Sequence, residues 1–384
     1  MVAQQSSFIV FSDDWGEHPS SCQHIFRNIP DEYRVLWVNT IGMRNPTLTI
    51  GDVKKIFFKS LRMFRGLFEN RREVDLPTNF YVIQPPQLPF SNIPLIRWIN
   101  RTLVCSSLKK YVAAMEITSP IIVATAPNAC DYIGQLGEEK VVYYCVDDFT
   151  EWPGLEKELV RSMEEELIRK TDVFIATSDE LYEKLSTGGK EVHLLTHGVD
   201  YKFFRKKVDQ EHYLLQDIPK PRVGYFGLFD KRSDQDLIVG LADRMPDISF
   251  VITGNVEVDT SRLKEKKNIF FTGSIPYSEL PDMACGWEVC ILPYRINKLT
   301  DAIQPLKLKE YLATGKPVIS TPIKEAVKLS PYLMIARASQ EWEKGIRDNI
   351  HGTSPELKDK IQLFLQKESW GSKTESFFKI CLEG

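Results

Sequence analysis

The sequence predicts an α/β protein built from two doubly wound, Rossmann-like domains. Three observations carry that prediction. Short apolar runs of strand length recur along the chain, at residues 8–11, 34–40, 120–127, 141–144 and 172–177. Helical periodicity separates them, for example over residues 156–170, which is the alternation expected of a parallel sheet with crossover helices. A polar stretch at 205–221, closed by Pro219 and Pro221, interrupts the rhythm, and RVGYFG at 222–227 restarts it. The expected layout is a first domain over 1–204, a linker over 205–221, a second domain over 222–365 and a last helical segment over 366–384.

Composition sets the limits of function. A chain of 384 residues has room for two domains with cores of their own. Hydrophobic content of 43% and charged content of 26% describe a globular protein. A net charge of −3, with no basic domain and no zinc-finger spacing, gives no reason to expect nucleic acid. The seven cysteines are scattered and odd in number, which argues against a disulfide framework and predicts neither metal nor cofactor. The opening MVAQQSSFIVFSDDWGE turns polar before a signal-peptide core forms, and no apolar run reaches the length of a membrane span. A cytoplasmic, reducing environment is the expectation.

In a doubly wound sheet, ligands lie beyond the carboxyl ends of the strands. Asp13, Asp14, Trp15 and Gly16 occupy the first such end; Trp15 and Gly16 are candidates for an acceptor cleft, or for a plain turn with a packed Trp. Residues 52–72 alternate Lys and Arg with Ile, Leu, Met and Phe, a pattern suited to an anionic membrane surface or to a cationic outer helix. The proline-rich 79–94 stretch reads as irregular loop. The run VVYYCV delivers Asp147 and Asp148 to a strand end, where Asp147 is the candidate general base. Asp148 either joins it in the cleft or caps the next segment.

In the second half, Gly227 permits close approach of a phosphate to the backbone, and Lys231 and Arg232 supply charge. Later strands end at Gly254 and at Gly273. The stretch NKLTDAIQPLKLKEYLATGKPVISTP is the most informative. Pro305 suits a helix start, Leu306, Leu308, Tyr311 and Leu312 follow at helical spacing, and Gly315 ends the run. A helix start with Lys307 beside it is a natural anion site, and Glu310 lies one turn further in. Phosphate and sugar hydroxyls together suggest a nucleotide-sugar.

Those segments resemble glycosyltransferases of the GT-B fold, in the large family 4 group with retaining chemistry, over nearly the whole length. GYFGLFDKR, NIFFTGSIPYSELP and PLKLKEYLATGKPVIST resemble a bacterial subfamily associated with exopolysaccharide and other cell-surface glycans. The resemblance implies two Rossmann-like domains facing across a cleft, with a terminal helix at 370–381 crossing back to the first. It implies that Glu310 binds the donor ribose, that the amides of Leu306 and Lys307 hold the diphosphate behind Pro305, and that Arg232 with Lys231 neutralises it. Ile275 falls at the base-binding loop, Gly227 and Gly254 complete the donor-binding set, and HGVD at 197–200 stands where the family has NGVD.

Two departures stand out. The first Glu of the family's paired motif falls at Ala302, with Asp301 or Thr300 as substitutes for its sugar contact. Asp147 stands where many members carry His. The expected activity is metal-independent transfer from a UDP- or GDP-sugar to a lipid-linked or polysaccharide acceptor, at the inner face of the plasma membrane. A GT-B nucleotide-sugar epimerase and a non-catalytic scaffold of a polysaccharide assembly are the alternatives.

Overall fold

The computed structural model describes residues 6–16, 20–39, 76–88, 92–152, 154–205 and 210–384. The basic, apolar 52–72 stretch lies outside them. The chain forms two units, one of residues 1–196 together with 373–384, the other of residues 197–372.

The first unit holds a seven-stranded parallel sheet in the order β3-β2-β1-β4-β5-β6-β7. Its strands are β1 (Ser7–Ser12), β2 (Arg34–Asn39), β3 (Phe80–Ile83), β4 (Ile121–Ala124), β5 (Lys140–Cys145), β6 (Val173–Ala176) and β7 (Val192–Leu194). Its helices are α1 (Ser21–Arg27), α2 (Pro94–Ala114), α3 (Lys157–Lys170) and α4 (Asp179–Ser186). The strands are apolar on both faces because both faces are covered. Ile9, Phe11, Leu36, Val38, Ile122 and Tyr143 fill one layer. On the other face Phe8 meets Phe26 and Phe378 edge-on, at 5.9 and 5.1 Å, so residues 373–384 complete this unit's core. Local signals set the helix starts: Ser20 caps α1 by accepting from Gln23 N, and Ser178 caps α4 by accepting from Leu181 N.

The expected loop at 79–94 is corrected here. Its FYVI run is β3, paired in parallel with β2 from Val35–Phe80 to Val38–Ile83. Phe80 and Ile83 are buried while Tyr81 is exposed, the profile of an edge strand. The prolines that follow masked it.

The second unit holds a six-stranded parallel sheet in the order β10-β9-β8-β11-β12-β13. Its strands are β8 (Arg222–Phe226), β9 (Ser249–Thr253), β10 (Ile269–Gly273), β11 (Val289–Leu292), β12 (Val318–Ser320) and β13 (Met334–Ile335). Around it lie α5 (Tyr201–Phe204), α6 (Gln235–Arg244), α7 (Ser261–Lys264), α8 (Leu280–Cys285), α9 (Lys298–Ala302), α10 (Leu306–Ala313), α11 (Lys324–Lys328), α12 (Ser339–Asn349) and α13 (Pro355–Lys367). A last helix, α14 (Trp370–Glu383), starts in this unit and ends in the first.

The chain passes between units at 196/197 and 372/373, and residues 210–221 belong to the second unit. Leu215 and Ile218 are buried in that unit's core, which is why the stretch is not a free linker despite its polar average. The strand order reverses between β8 and β11. Their carboxyl ends therefore diverge into a crevice, the place where a doubly wound sheet offers a ligand site.

Candidate active site

The crevice is closed on one side by α10. Tyr311 fixes this helix to the end of β8: its hydroxyl accepts from Phe226 N at 2.9 Å and donates to Phe226 O at 3.1 Å. Pro305 is the residue before the first turn, with φ −67° and ψ 116°, so the helix begins at Leu306. The amides of Leu306 and Lys307 stand in the first turn, where no carbonyl of the helix can accept from them. The helix stops at Thr314, with Gly315 following at φ +73°. Just upstream, α9 is held by a reciprocal cap: Thr300 N donates to Asn297 Oδ1, and Thr300 Oγ1 accepts from Asn297 N, both at 3.0 Å.

Lys307 is the centre of charge. Its Nζ donates to Tyr294 Oη at 3.0 Å and to Tyr225 Oη at 3.3 Å, and it lies 5.6 Å from the Tyr294 ring centroid and 5.2 Å from that of Tyr225. Burial works against the ammonium, yet the two phenol oxygens outweigh it and its pKa is raised. Tyr294 shows the reciprocal effect: burial would raise it, but Lys307 and Arg232 bring the phenol below its ordinary value. Arg232 stands 5.7 Å over the Tyr294 ring and is paired with Asp230 at 2.8 Å. The loop after β8 is tied to the end of β11 by Asp234 N to Pro293 O and Arg295 N to Arg232 O, each 2.7 Å. Lys231 is exposed beside it.

The role expected of Gly227 is corrected by this packing. Gly227 has φ +115°, and a Cβ there would fall 2.0 Å from Lys307 Cε. The space over its backbone is filled by the lysine stem, so the glycine makes room for Lys307. Gly254, at φ +132°, lies against the Gly227 carbonyl, which a Cβ would approach to 2.2 Å. Both glycines shape the crevice floor.

Glu310, one turn into α10, is buried. Its Oε1 accepts from Tyr277 Oη at 2.9 Å. Burial raises its carboxyl to about 7, against the opposing pull of the Tyr277 hydrogen bond and the Lys307 charge. Ile275 stands two residues before Tyr277, half-buried against the same core. Lys309 faces the other way, its Nζ bonding His197 O and Glu368 within the second unit. Thr300 is fully buried, and its hydroxyl donates to Arg295 O at 2.6 Å, so it serves the α9 cap. Asp301, in the same short helix, is half-buried.

Sequence reasoning missed Tyr225, Tyr277, Tyr294 and Asp230. The available signal was a phenol at each strand end, in GYFG, IPYSE and ILPY.

In the first unit the candidates have structural partners. Trp15 is buried between Trp37 and Phe80, with centroids at 4.7 and 4.4 Å, and its amide donates to Asn39 Oδ1 at 3.1 Å. Gly16 N donates to Gln23 Oε1 at 3.0 Å. The packed-Trp alternative is thus the observed one. Asp148 caps the turn Phe149–Glu151, accepting from Thr150 N and Oγ1, and pairs with Lys184 at 3.0 Å. Its assignment to a cleft gives way to the capping role. Asp147 is half-buried just past β5, where its carbonyl accepts a weak bond from Cys145 Sγ at 3.7 Å. Among the described residues, Cys130, Asp131 and Glu166 bring possible metal ligands within 4.8 Å of one another. Arg97 already donates to all three, so that cluster holds its cation.

A family model described as "Glycosyl transferases group 1" matches residues 220–360, within the second unit. A Bacillus subtilis (strain 168) protein described as putative teichuronic acid biosynthesis glycosyltransferase TuaH is 29% identical over 187 residues, or 46% of this chain. The match covers 47% of that protein, so the chain spans about half the length of this curated relative. Anabaena HepE, solved with UDP and glucose, aligns with TM-score 0.69 and 13% identity over 97% of this chain and 98% of that one. Sucrose-phosphate synthase from Thermosynechococcus elongatus aligns with TM-score 0.70 and 14% identity, covering 98% of each chain.

The fold is that of the GT-B class, with two parallel-sheet, Rossmann-like domains. The residues that match the group 1 glycosyltransferase model lie in the second of them.

Proposed function

We propose that the chain transfers a sugar from a UDP- or GDP-sugar to a lipid-linked or polysaccharide acceptor in bacterial surface-glycan synthesis. The observation that carries the reading is the convergence of Lys307, Arg232 and the start of α10 on the β8/β11 crevice, with Glu310 one turn away. A diphosphate at the helix start would meet the Leu306 and Lys307 amides and the Lys307 charge, and Glu310 would accept from ribose hydroxyls. As the glycosidic bond breaks, negative charge grows on the leaving diphosphate, and fixed donors stabilise that charge most. The reading takes these groups to stabilise the diphosphate in place of a metal, and Asp147 is the residue proposed to orient or deprotonate the acceptor hydroxyl. The family implies retention of anomeric configuration.

The surface-glycan setting draws on the teichuronic acid description of the Bacillus relative, and UDP use on the Anabaena complexes. Contact with an anionic membrane is proposed through residues 52–72, on their composition, at the inner face of the plasma membrane. No helix among the described residues is long and apolar enough to cross a membrane.

The test is calorimetric titration of UDP and GDP into the purified chain, then donor turnover followed by release of the diphosphate, with and without a chelator. Binding of one diphosphate and its chelator-resistant release from the matching sugar donor is the expected result. Binding without release from any donor or acceptor supplied would favour a scaffold, and no binding would refute the donor site.

A further inference from the structure

We propose that Tyr277 is a positioning residue that holds Glu310 oriented for the ribose of the donor nucleotide; this rests on the donor-site reading above. Tyr277 stands on the turn Tyr277–Glu279 that follows β10, and so belongs to the loop carrying Ile275 rather than to α10. Its ring stacks on Phe203 at 5.1 Å with an interplanar angle of 5°, and Phe204 meets it edge-on at 5.8 Å. Both phenylalanines come from α5, whose N-terminus Asp200 caps by accepting from Phe203 N at 3.0 Å. The phenol therefore has a fixed direction, and its one polar atom ends on Glu310 Oε1.

Two consequences follow from that contact. One carboxylate oxygen is held, which sets the plane of the carboxylate and leaves Oε2 as its principal acceptor for a ligand hydroxyl. The donated hydrogen bond also favours the charged form of a carboxylate that burial pushes toward neutrality. Among the described residues, the charged group acting on Glu310 is Lys307, three residues before it on α10, while Tyr311 next to it in the chain is turned to Phe226. Tyr277 is the neighbour that reaches Glu310 from outside its own helix. It thereby ties the loop expected at the nucleotide base to the group expected at the ribose.

The experiment compares the full chain with Y277F and E310Q, by calorimetric titration of UDP and GDP from about pH 6 to about pH 9, a range spanning the ionisation of a buried carboxyl. For whichever diphosphate binds, its 2′,3′-dideoxy form is titrated alongside. In the parent, the preference for the ribose form over the dideoxy form should weaken as pH falls through the carboxyl's midpoint, since a carboxylate accepts from a hydroxyl more strongly than the protonated acid does. Y277F, which keeps the stack on Phe203, should move that midpoint to higher pH and shrink the preference for the ribose form by about threefold to tenfold. E310Q should remove the pH dependence of that preference, while the ionisation of the diphosphate itself acts on both forms alike. An unchanged midpoint and an unchanged ribose preference in Y277F would overturn the proposal while leaving the donor site intact. A parent-like pH dependence of the ribose preference in E310Q would instead overturn the ribose role of Glu310, and with it the proposal. Absence of diphosphate binding to the parent would refute both.

Discussion

The two units end their strands in different ways. In the second, the ends of β8 and β11 present Lys307, Arg232 and two phenols around a glycine floor. In the first, the corresponding ends of β1 and β4 are closed within the unit. Asp13 accepts from Ser12 Oγ at 2.8 Å, Ser20 Oγ at 2.9 Å and Gln23 Nε2 at 2.7 Å. Thr125 Oγ1 reaches Ser12 Oγ at 3.1 Å across the same strand pair. The lesson concerns strand-end residues generally. A carboxylate there becomes a site only if the neighbouring turn does not use it, and the turn chemistry of Asp and Ser competes for the same atoms.

The comparison is broken most directly by mutating Trp15, where the largest effect is expected. If Trp15 is a core residue, W15A should cost about 3–5 kcal/mol in a denaturant titration. Diphosphate affinity, measured well below the transition, should stay unchanged because the donor residues all belong to the second unit. A stable W15A protein with impaired transfer would make Trp15 a cleft residue after all.

Lys307 tests the other unit. K307M keeps the apolar stem over Gly227 and removes the ammonium, so the fold should persist. Loss of a charge-assisted bond to phosphate should weaken UDP or GDP by about 1.5–3 kcal/mol, or roughly tenfold to a hundredfold. Parent-like affinity would show that the two tyrosines keep Lys307 from the ligand.

Glu310 sharpens the contrast through pH. Its folded-state carboxyl is raised from an ordinary 4.5 to about 7, so the native state binds the proton more tightly than the unfolded chain does. Stability then falls as pH rises from 4.5 to about 7, and the full cost persists above that. At ~1.4 kcal/mol per pH unit the cost is of the order of 3–4 kcal/mol, and E310Q should recover much of it. The variant should melt higher than the parent at about pH 8 and equal to it near about pH 4, while binding nucleotide less well. A higher melting point at the acid end only would refute the sign.

How much of this was legible depended on whether the determining residues were contiguous. Most strands were, because Ile9, Phe11, Val35, Ile122 and Ile252 belong to apolar runs bounded by turns, while β3 was hidden by the prolines after it. α2 was not: Leu95 and Trp98 are exposed while Val104 and Leu108 are buried, so no apolar stripe marks its inner face. At the candidate site, Lys307 and Glu310 were readable because one helix carries both with a Pro before and a Gly after. Tyr225, Tyr294 and Tyr277 arrive from the ends of β8, β11 and β10, and only the strand order brings them to α10. Gly227 was readable as a close-approach site, but not what approaches it.

The smallest effect belongs to Asp148, and it tests the first unit's side of the comparison. Burial opposes its charge, but the Thr150 hydroxyl and Lys184 outweigh that and hold its carboxyl below the ordinary range. A depressed carboxyl contributes stability that is present above its unfolded value of 3.8 and is lost as pH falls through the lower folded value. D148A removes both the cap and the ion pair and should cost about 1 kcal/mol at neutral pH. D148N keeps the capping oxygen and should cost less, since Lys184 retains Glu164 at 2.7 Å. Both variants should turn over donor at the parent rate if Asp148 is a cap. Should D148N fold as the parent does and yet lose transfer, its carboxylate would be acting on the acceptor, and the first unit's strand ends would be as open to a ligand as the second's.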